Sequence, residues 1–205
     1  MSNKIVLKKK IKNFNKKILV PGDKSLSIRW VLIASLAEGI SKAQNLLMSE
    51  DVIATLKSIK KLGVRVFYNN NICKIHGVGI SGYKYKKGII INAQNSGTLG
   101  RLIPGLLIDS PVPIKIIGDK SLSKRDFKRI ATPLSKFGAN LNLKNGYHLP
   151  LTIKGSTKLK PIKFFERKGS AQCKSSVIFA GIKTNGKTTI NAKQSRNHTE
   201  LLFKY

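Results

Sequence analysis

Acidic residues are scarce in this 205-residue chain, with nine Asp and Glu against 39 Lys and Arg, a net charge of +30. The nine are Asp23, Glu38, Glu50, Asp51, Asp109, Asp119, Asp126, Glu166 and Glu200. Only Glu50 and Asp51 adjoin, and helix neighbours point in different directions. No spaced carboxylate pair therefore presents itself for acid and base chemistry. Cysteine is limited to Cys73 and Cys173. Neither has CxxC or His spacing, which argues against a zinc site and for a reduced, cytoplasmic setting. Aromatics make up 7%. A nucleic-acid arm would concentrate its cations and interleave rings among them, whereas here the cations are scattered, with local density only from Lys8 to Lys17. No apolar run approaches the ~18 residues of a membrane span. The basic N-terminus lacks the apolar stretch of a secretory signal.

What is present reads as a globular chain, with 41% hydrophobic and 23% charged residues. The positive excess draws anions, whether nucleic acid, anionic membrane or phosphorylated metabolites. One literal repeat stands out, Gly22-Asp-Lys-Ser-Leu-Ser27 against Gly118-Asp-Lys-Ser-Leu-Ser123. Its copies fall at different points of a larger cycle. In that cycle a short strand leads through a Ser/Gly turn to an apolar helix. A second strand, a polar turn, an amphipathic helix ended by Gly and a β-hairpin follow.

The first unit, about 18–85, starts at Ile18-Leu-Val20. Its pattern predicts a helix from Ser25 to Ala37 and a strand from Ala43 to Leu46. A second helix, capped by Ser49, carries Val52, Ile53, Leu56, Ile59 and Leu62 on one stripe. Gly63 ends it, and a hairpin follows with Asn69-Asn70 in the turn. The second unit, about 86–155, has strand Ile89-Ile-Ile91, then Asn95-Ser-Gly-Thr98 opening a helix to Leu107 that contains Pro104. Strand Ile114–Ile117, a helix from Lys124 to Phe137 and a hairpin complete it. The third, 156–205, has strand Ile162–Phe165, a helix after Ser170-Ala-Gln172, strand Thr188–Asn191 and a helix capped within Ser195–His198. The pattern predicts an α+β fold of βαβαββ units used three times, the third truncated before its hairpin.

Three helix starts, at Lys24-Ser25, at Asn95–Thr98 and at Ser170–Gln172, offer free backbone N–H groups and a positive dipole end to an anion. Cations accompany them: Lys24, Arg29, Arg125, Lys174 and Arg196. Arginine suits bidentate gripping of phosphate or carboxylate. The pattern implies a small anionic ligand without naming it.

The motifs narrow this. Val20-Pro-Gly-Asp-Lys-Ser-Leu-Ser-Ile-Arg29, followed by Ala37-Glu-Gly39 and Leu46-Leu-Met-Ser-Glu-Asp51, resembles the opening of the EPSP synthase family, P-G-D-K-S-[IL]-S-H-R. Asn95–Thr98 with Arg101 resembles that family's G-N-[AS]-G-T-x-x-R, and Gly118–Arg125 its G-D-x-S-L-x-x-R-P. Ser170-Ala-Gln-Cys-Lys174 and Ser195-Arg-Asn-His-Thr-Glu200 are similar to its S-A-Q-x-K-S and S-R-D-H-T-E. The resemblance implies enolpyruvyl transfer from phosphoenolpyruvate to the 5-hydroxyl of shikimate 3-phosphate in aromatic amino acid biosynthesis, without metal or organic cofactor. It also implies one lobe of an inside-out α/β barrel, a cytoplasmic monomer without nucleic-acid or membrane partners. The first strand, near Ile5 to Val6 within segment 1–17, would cross to a second lobe, and 18–205 would form the substrate-binding lobe.

Carried over by motif, Lys24 would touch both substrates, and Ser25, Arg29, Ser170, Gln172 and Arg196 would hold shikimate 3-phosphate. Asn95, Gly97, Arg125 and again Gln172 would hold phosphoenolpyruvate. The proton-transfer group and further cations would belong to the second lobe, so the chain alone would be a partial, inactive fragment. Three positions depart from the family pattern: Ile28 replaces His, Asp126 replaces Pro and Gln94 replaces Gly. Two other readings share some of these features. A UDP-N-acetylglucosamine enolpyruvyl transferase would carry a Lys-Asn pair where Lys24-Ser25 stands, and a basic nucleic-acid binder would bind with steep salt dependence.

Overall fold

The structure is a computed structural model that describes residues 20–205 and, before them, 6, 8, 13, 15, 17 and 18. The strands expected near Ile5 and Val6 and over 18–20 include residues outside that set, as does most of segment 1–17.

The described elements alternate between helix and strand, an α+β arrangement. Helix α1 (Lys24–Leu36) is followed by strand β1 (Glu38–Gln44), helix α2 (Glu50–Lys61) and the hairpin β2 (Arg65–Asn69) and β3 (Ile72–Val78). Strand β4 (Ile90–Asn92), helix α3 (Gly97–Leu106), strand β5 (Ile114–Ile117), helices α4 (Lys120–Ser123) and α5 (Lys128–Lys136) and strands β6 (Asn140–Lys144) and β7 (His148–Lys154) come next. Strand β8 (Lys163–Glu166), helix α6 (Ala171–Ile182), strand β9 (Thr189–Ala192) and helix α7 (His198–Leu202) end the chain. The sheets run β1-β3-β2, β4-β5-β7-β6 and β8-β9. The pairs β4–β5 and β8–β9 are parallel and the others antiparallel.

Helices α1, α3 and α6 form the middle of the molecule. Every residue of α3 except Thr98 is buried, as expected of a helix apolar on all sides. Its backbone closes on α6 at Gly105, where a Cβ would lie 2.2 Å from the Ser176 carbonyl oxygen; only glycine permits that approach. Helix α2 is amphipathic instead. Val52, Leu56, Ile59 and Leu62 are buried, and its lysines face water.

Local signals explain most boundaries. The strand expected from Ala43 to Leu46 lies earlier, as β1 over Glu38–Gln44, and three further expectations need correction. The helix expected from Lys124 to Phe137 is shorter, α5 alone, and the turn expected over Gly118–Ser123 holds the one-turn helix α4. The Asp126 carboxylate accepts the Lys128 backbone N–H at 2.8 Å and opens α5, so the chain turns at Arg125–Phe127. Ser49 precedes α2 as its cap residue but makes no side-chain cap bond; its carbonyl oxygen accepts from Val52 and Ile53. The hairpin turn is Asn70-Asn71, both at positive φ (47° and 60°), one residue beyond the expected pair. Two consecutive left-handed residues make the type I′ geometry that suits strand twist.

Candidate anion-binding site

Helix α1 opens on Asp23, whose carboxylate accepts the Leu26 N–H at 2.7 Å. Lys24 follows, about half exposed, with Nζ 3.0 Å from Asp51 in the first turn of α2. One turn on, Arg29 is 2% exposed. It donates to Thr199 of α7 at 2.8 Å, to Ser175 of α6 at 3.2 Å, and to the Ser25 hydroxyl and carbonyl at 2.5 and 3.3 Å. Four of its five N–H donors are thus committed inside the protein. Burial, with Arg196 nearby, pulls its pKa down to about 10. Arg29 therefore ties α1, α6 and α7 together, and Ser25 accepts from it one turn away.

The second cluster surrounds the start of α3. Ser96 caps the helix, its hydroxyl accepting from Leu99 at 3.2 Å. A Cβ on Gly97 would sit 3.0 Å from both Arg101 Nη1 and Arg125 Nη1. The missing side chain is what lets two guanidinium groups reach the backbone. Arg101 donates to Gln172 Oε1 at 2.9 Å, and Gln172 Nε2 donates to Thr98 at 3.1 Å. The Gln172 amide is gripped at both ends. Arg101 is 8% exposed, lies 5.2 Å from the Phe127 ring centroid and leaves its buried Nε without a partner. Burial first, then Arg129, lowers its pKa. Arg129 itself donates to Cys173 Sγ at 3.3 Å.

Asn95 is exposed and donates to Asp119 at 2.6 Å. That bond, more than the Leu122 N–H, holds the Asp119 carboxyl below its ordinary range. At the start of α6, Ser170 caps with its hydroxyl, accepting from Cys173 at 3.3 Å, and donates its own N–H to Glu166 at 2.7 Å. Lys174 pairs with Glu200 of α7 at 2.5 Å. Arg196 is exposed, close enough to bias Arg29 electrostatically. Successive residues of α6 thus reach different neighbours: Gln172 reaches α3, Lys174 reaches α7 and Ser175 reaches α1.

The sequence-derived residues consequently fall into two groups joined by α6. Gly97, Arg125 and Gln172 meet through Arg101, with Asn95 beside them on Asp119. Ser25 and Arg29 meet Ser175 and Thr199, with Arg196 at their edge. Lys24 stands at the tip of α1, bound to Asp51. Sequence reasoning assigned nothing to Arg101, Thr98, Ser175 or Thr199. Arg101 was visible one helical turn after Gly97, within a quoted motif. Ser175 and Thr199 had no separate mark, since their role is to satisfy a buried arginine.

The three departures each have a local account. Ile28 is fully buried among apolar side chains. Asp126 opens α5. Gln94 sits at φ +50°, a conformation that glycine enters without the roughly 1–2 kcal/mol penalty of a Cβ. Its N–H donates to Asn92 Oδ1 at 2.9 Å.

The family described as EPSP synthase (3-phosphoshikimate 1-carboxyvinyltransferase) matches residues 8–205. A 3-phosphoshikimate 1-carboxyvinyltransferase of Streptococcus suis is 40% identical over 196 residues, which are 95% of this chain and 46% of that protein. Its counterpart in Caldicellulosiruptor bescii is 41% identical over 198 residues, 95% of this chain and 45% of that protein. A solved EPSP synthase structure from Acinetobacter baumannii superposes with a TM-score of 0.85 at 37% identity, covering 90% of this chain and 42% of that one. The chain thus spans under half the length of these relatives. With the matched region running through all the motifs above, the chain belongs to the EPSP synthase family.

Proposed function

We propose that this chain is the substrate-gripping lobe of a 3-phosphoshikimate 1-carboxyvinyltransferase, built from repeated βαβαββ units of an inside-out barrel. The element order and the related sheets β1-β3-β2 and β4-β5-β7-β6 support the unit reading. In the full reaction the 5-hydroxyl of shikimate 3-phosphate gives up its proton as its oxygen bonds to C2 of phosphoenolpyruvate and a proton adds to the methylene carbon. The tetrahedral adduct then expels phosphate as its new methyl group loses a proton, forming the enol ether.

The observation that carries the reading is the glycine at position 97. It has Arg101 and Arg125 at its Cβ position and a Gln172 amide locked beside it. Such a cradle offers a helix N-terminus and an exposed guanidinium to a phosphate or carboxylate at backbone distance. Asn95, Gly97, Arg125 and Gln172 would take phosphoenolpyruvate. Lys24, Ser25, Arg29, Ser170, Gln172 and Arg196 would serve shikimate 3-phosphate, Ser25 and Arg29 through the α1–α6–α7 tie. Lys24 would exchange Asp51 for the substrates. The proton-transfer group belongs to a second lobe, so this chain binds and does not turn over. Closure over the cleft supplies orientation and water exclusion that half a cleft lacks. The reading includes a monomer and a cytoplasmic setting, the latter supported by Cys73 and Cys173 being separate buried thiols.

Calorimetry with shikimate 3-phosphate tests this. The chain is expected to bind it, Lys24→Ala to abolish the binding, and no phosphate to be released when phosphoenolpyruvate is added. Unchanged affinity in Lys24→Ala would place the ligand elsewhere. Phosphate release by the chain alone would refute the inactive half of the reading.

A further inference from the structure

Most of the positive charge lies outside the site just described, and part of it is assembled in space from segments distant in sequence. A groove of about 1020 Å³ is lined by Lys60, Lys61, Arg65, Lys84, Lys86 and Lys87, with no carboxylate among its lining residues. One wall is the end of α2 and the start of β2, carrying Lys60, Lys61 and Arg65. The other is the segment leading into β4, carrying Lys84, Lys86 and Lys87. The walls are pinned together: Lys84 N–H donates to the Leu62 carbonyl at 2.9 Å, and Lys61 Nζ donates to the Ile90 carbonyl at 2.8 Å. The Lys84 stem lies against Gly63, where a Cβ would be 3.0 Å away.

All six cations are exposed, and among the described residues none pairs with a carboxylate; the three ion pairs use Lys24, Lys174 and Lys183. Every acid of the chain lies between Asp23 and Glu200, within the described region. The nearest by strand register is Glu38, opposite Val78. Two fixed walls of like charge repel across the groove unless an anion lies between them. Composition alone would spread lysines evenly. Another groove, lined by Lys128, Arg129, Arg167 and Lys168, also holds Asp126 and Glu166. The groove is also removed from Lys24. Helix α2 begins beside Lys24 through Asp51 and ends at Lys61, a length of roughly 18 Å at 1.5 Å per residue.

The geometry points to a second anion site, one that takes a linear chain of phosphates, as a free oligophosphate or as the tail of a nucleotide. Paired walls with three cations each match a ligand bearing several charges in a row. Among the described residues the lining contains no aromatic residue, so they offer no ring for a base to stack on. That favours a phosphate chain over single-stranded nucleic acid.

The test is calorimetry on the full chain with inorganic tripolyphosphate. Two triple variants are compared: Lys84→Gln, Lys86→Gln, Lys87→Gln in the groove, and Lys158→Gln, Lys160→Gln, Lys187→Gln at exposed positions elsewhere. Tripolyphosphate is expected to bind more tightly than orthophosphate and to weaken with salt. The groove triple is expected to lose affinity by about tenfold or more, and the control triple by less than about threefold. ATP should bind no more tightly than tripolyphosphate, and shikimate 3-phosphate binding should be unchanged in the groove triple. Equal losses in both triples would reduce the groove to a diffuse field and overturn the proposal. So would loss of tripolyphosphate binding in Arg125→Ala, or an oligouridylate that outcompetes tripolyphosphate.

Discussion

Two stretches of this chain, Gly22–Arg29 and Gly118–Arg125, differ at one of eight positions, Ile28 against Lys124. They begin alike. Asp23 and Asp119 each cap a helix by accepting the N–H three residues on at 2.7 Å. They then part. The first continues as the thirteen-residue α1, the second stops after the four residues of α4. Leu26 is exposed where Leu122 is fully buried, and Arg29 is buried where Arg125 is exposed. One arginine became a tie between three helices and the other a free guanidinium beside Gly97. The cap nucleates a turn in both places, and what the turn packs against decides its length and which side chains remain for ligands.

The strongest way to break this comparison is to make the first copy identical to the second. Ile28→Lys puts an ammonium group at a fully buried position in the apolar core. The expected cost is on the order of 4 kcal/mol or more, since a buried unpaired charge is among the few changes that costs so much. Urea denaturation followed by circular dichroism measures it. A midpoint close to that of the wild type would mean that the α1 core is looser than its burial implies.

A smaller effect separates the two caps by pH. Asp119 accepts from Asn95 as well as from Leu122, and its pKa lies below the ordinary 3.8. A carboxylate with a depressed folded-state pKa stabilises above its unfolded pKa, and that contribution fades as pH falls through the folded value. Asp119→Asn keeps the shape and the capping ability but not the charge. The wild type should melt higher than this variant at neutral pH, and the gap should close as pH falls below the ordinary carboxylate range. A gap independent of pH would assign the effect to packing rather than to charge.

The same pair of stretches marks what was legible in the sequence. Most element types and their order could be read because caps, glycine stops and the α2 stripe are local, though α4 read as a turn. The residues gathered around Arg29 and Arg101 could be singled out because they sit in motifs. The break at Asp126 could not be read from periodicity. The Asp126 carboxylate accepts the Lys128 backbone N–H locally, and the Phe127 N–H is held by the Tyr147 carbonyl at 2.7 Å, in the turn between β6 and β7. Arg29 and Arg125 are also indistinguishable by spacing, since each is the eighth residue of its stretch. Only the arrival of Ser175 and Thr199 from 146 and 170 residues away makes one of them internal. The basic groove was invisible for the same reason, as its two walls come from separate segments.

The smallest expected effect is the reverse exchange, Lys124→Ile. Local propensity gives Ile no advantage over Lys in a helix, and position 124 is exposed, so the stability change should stay within about 0.5 kcal/mol. Helix α4 should not lengthen, because Asp126 opens α5 and the Phe127 backbone is held by the hairpin. Unchanged far-ultraviolet ellipticity and an unchanged midpoint are the expected readings. A gain in helix content would show that residue 124 itself ends α4, and the contrast between the two copies would then reside in one side chain rather than in the surfaces against which they fold. Paired with the large loss expected for Ile28→Lys, a null result here would locate the asymmetry in tertiary surroundings, which is what leaves Arg125 exposed beside Gly97.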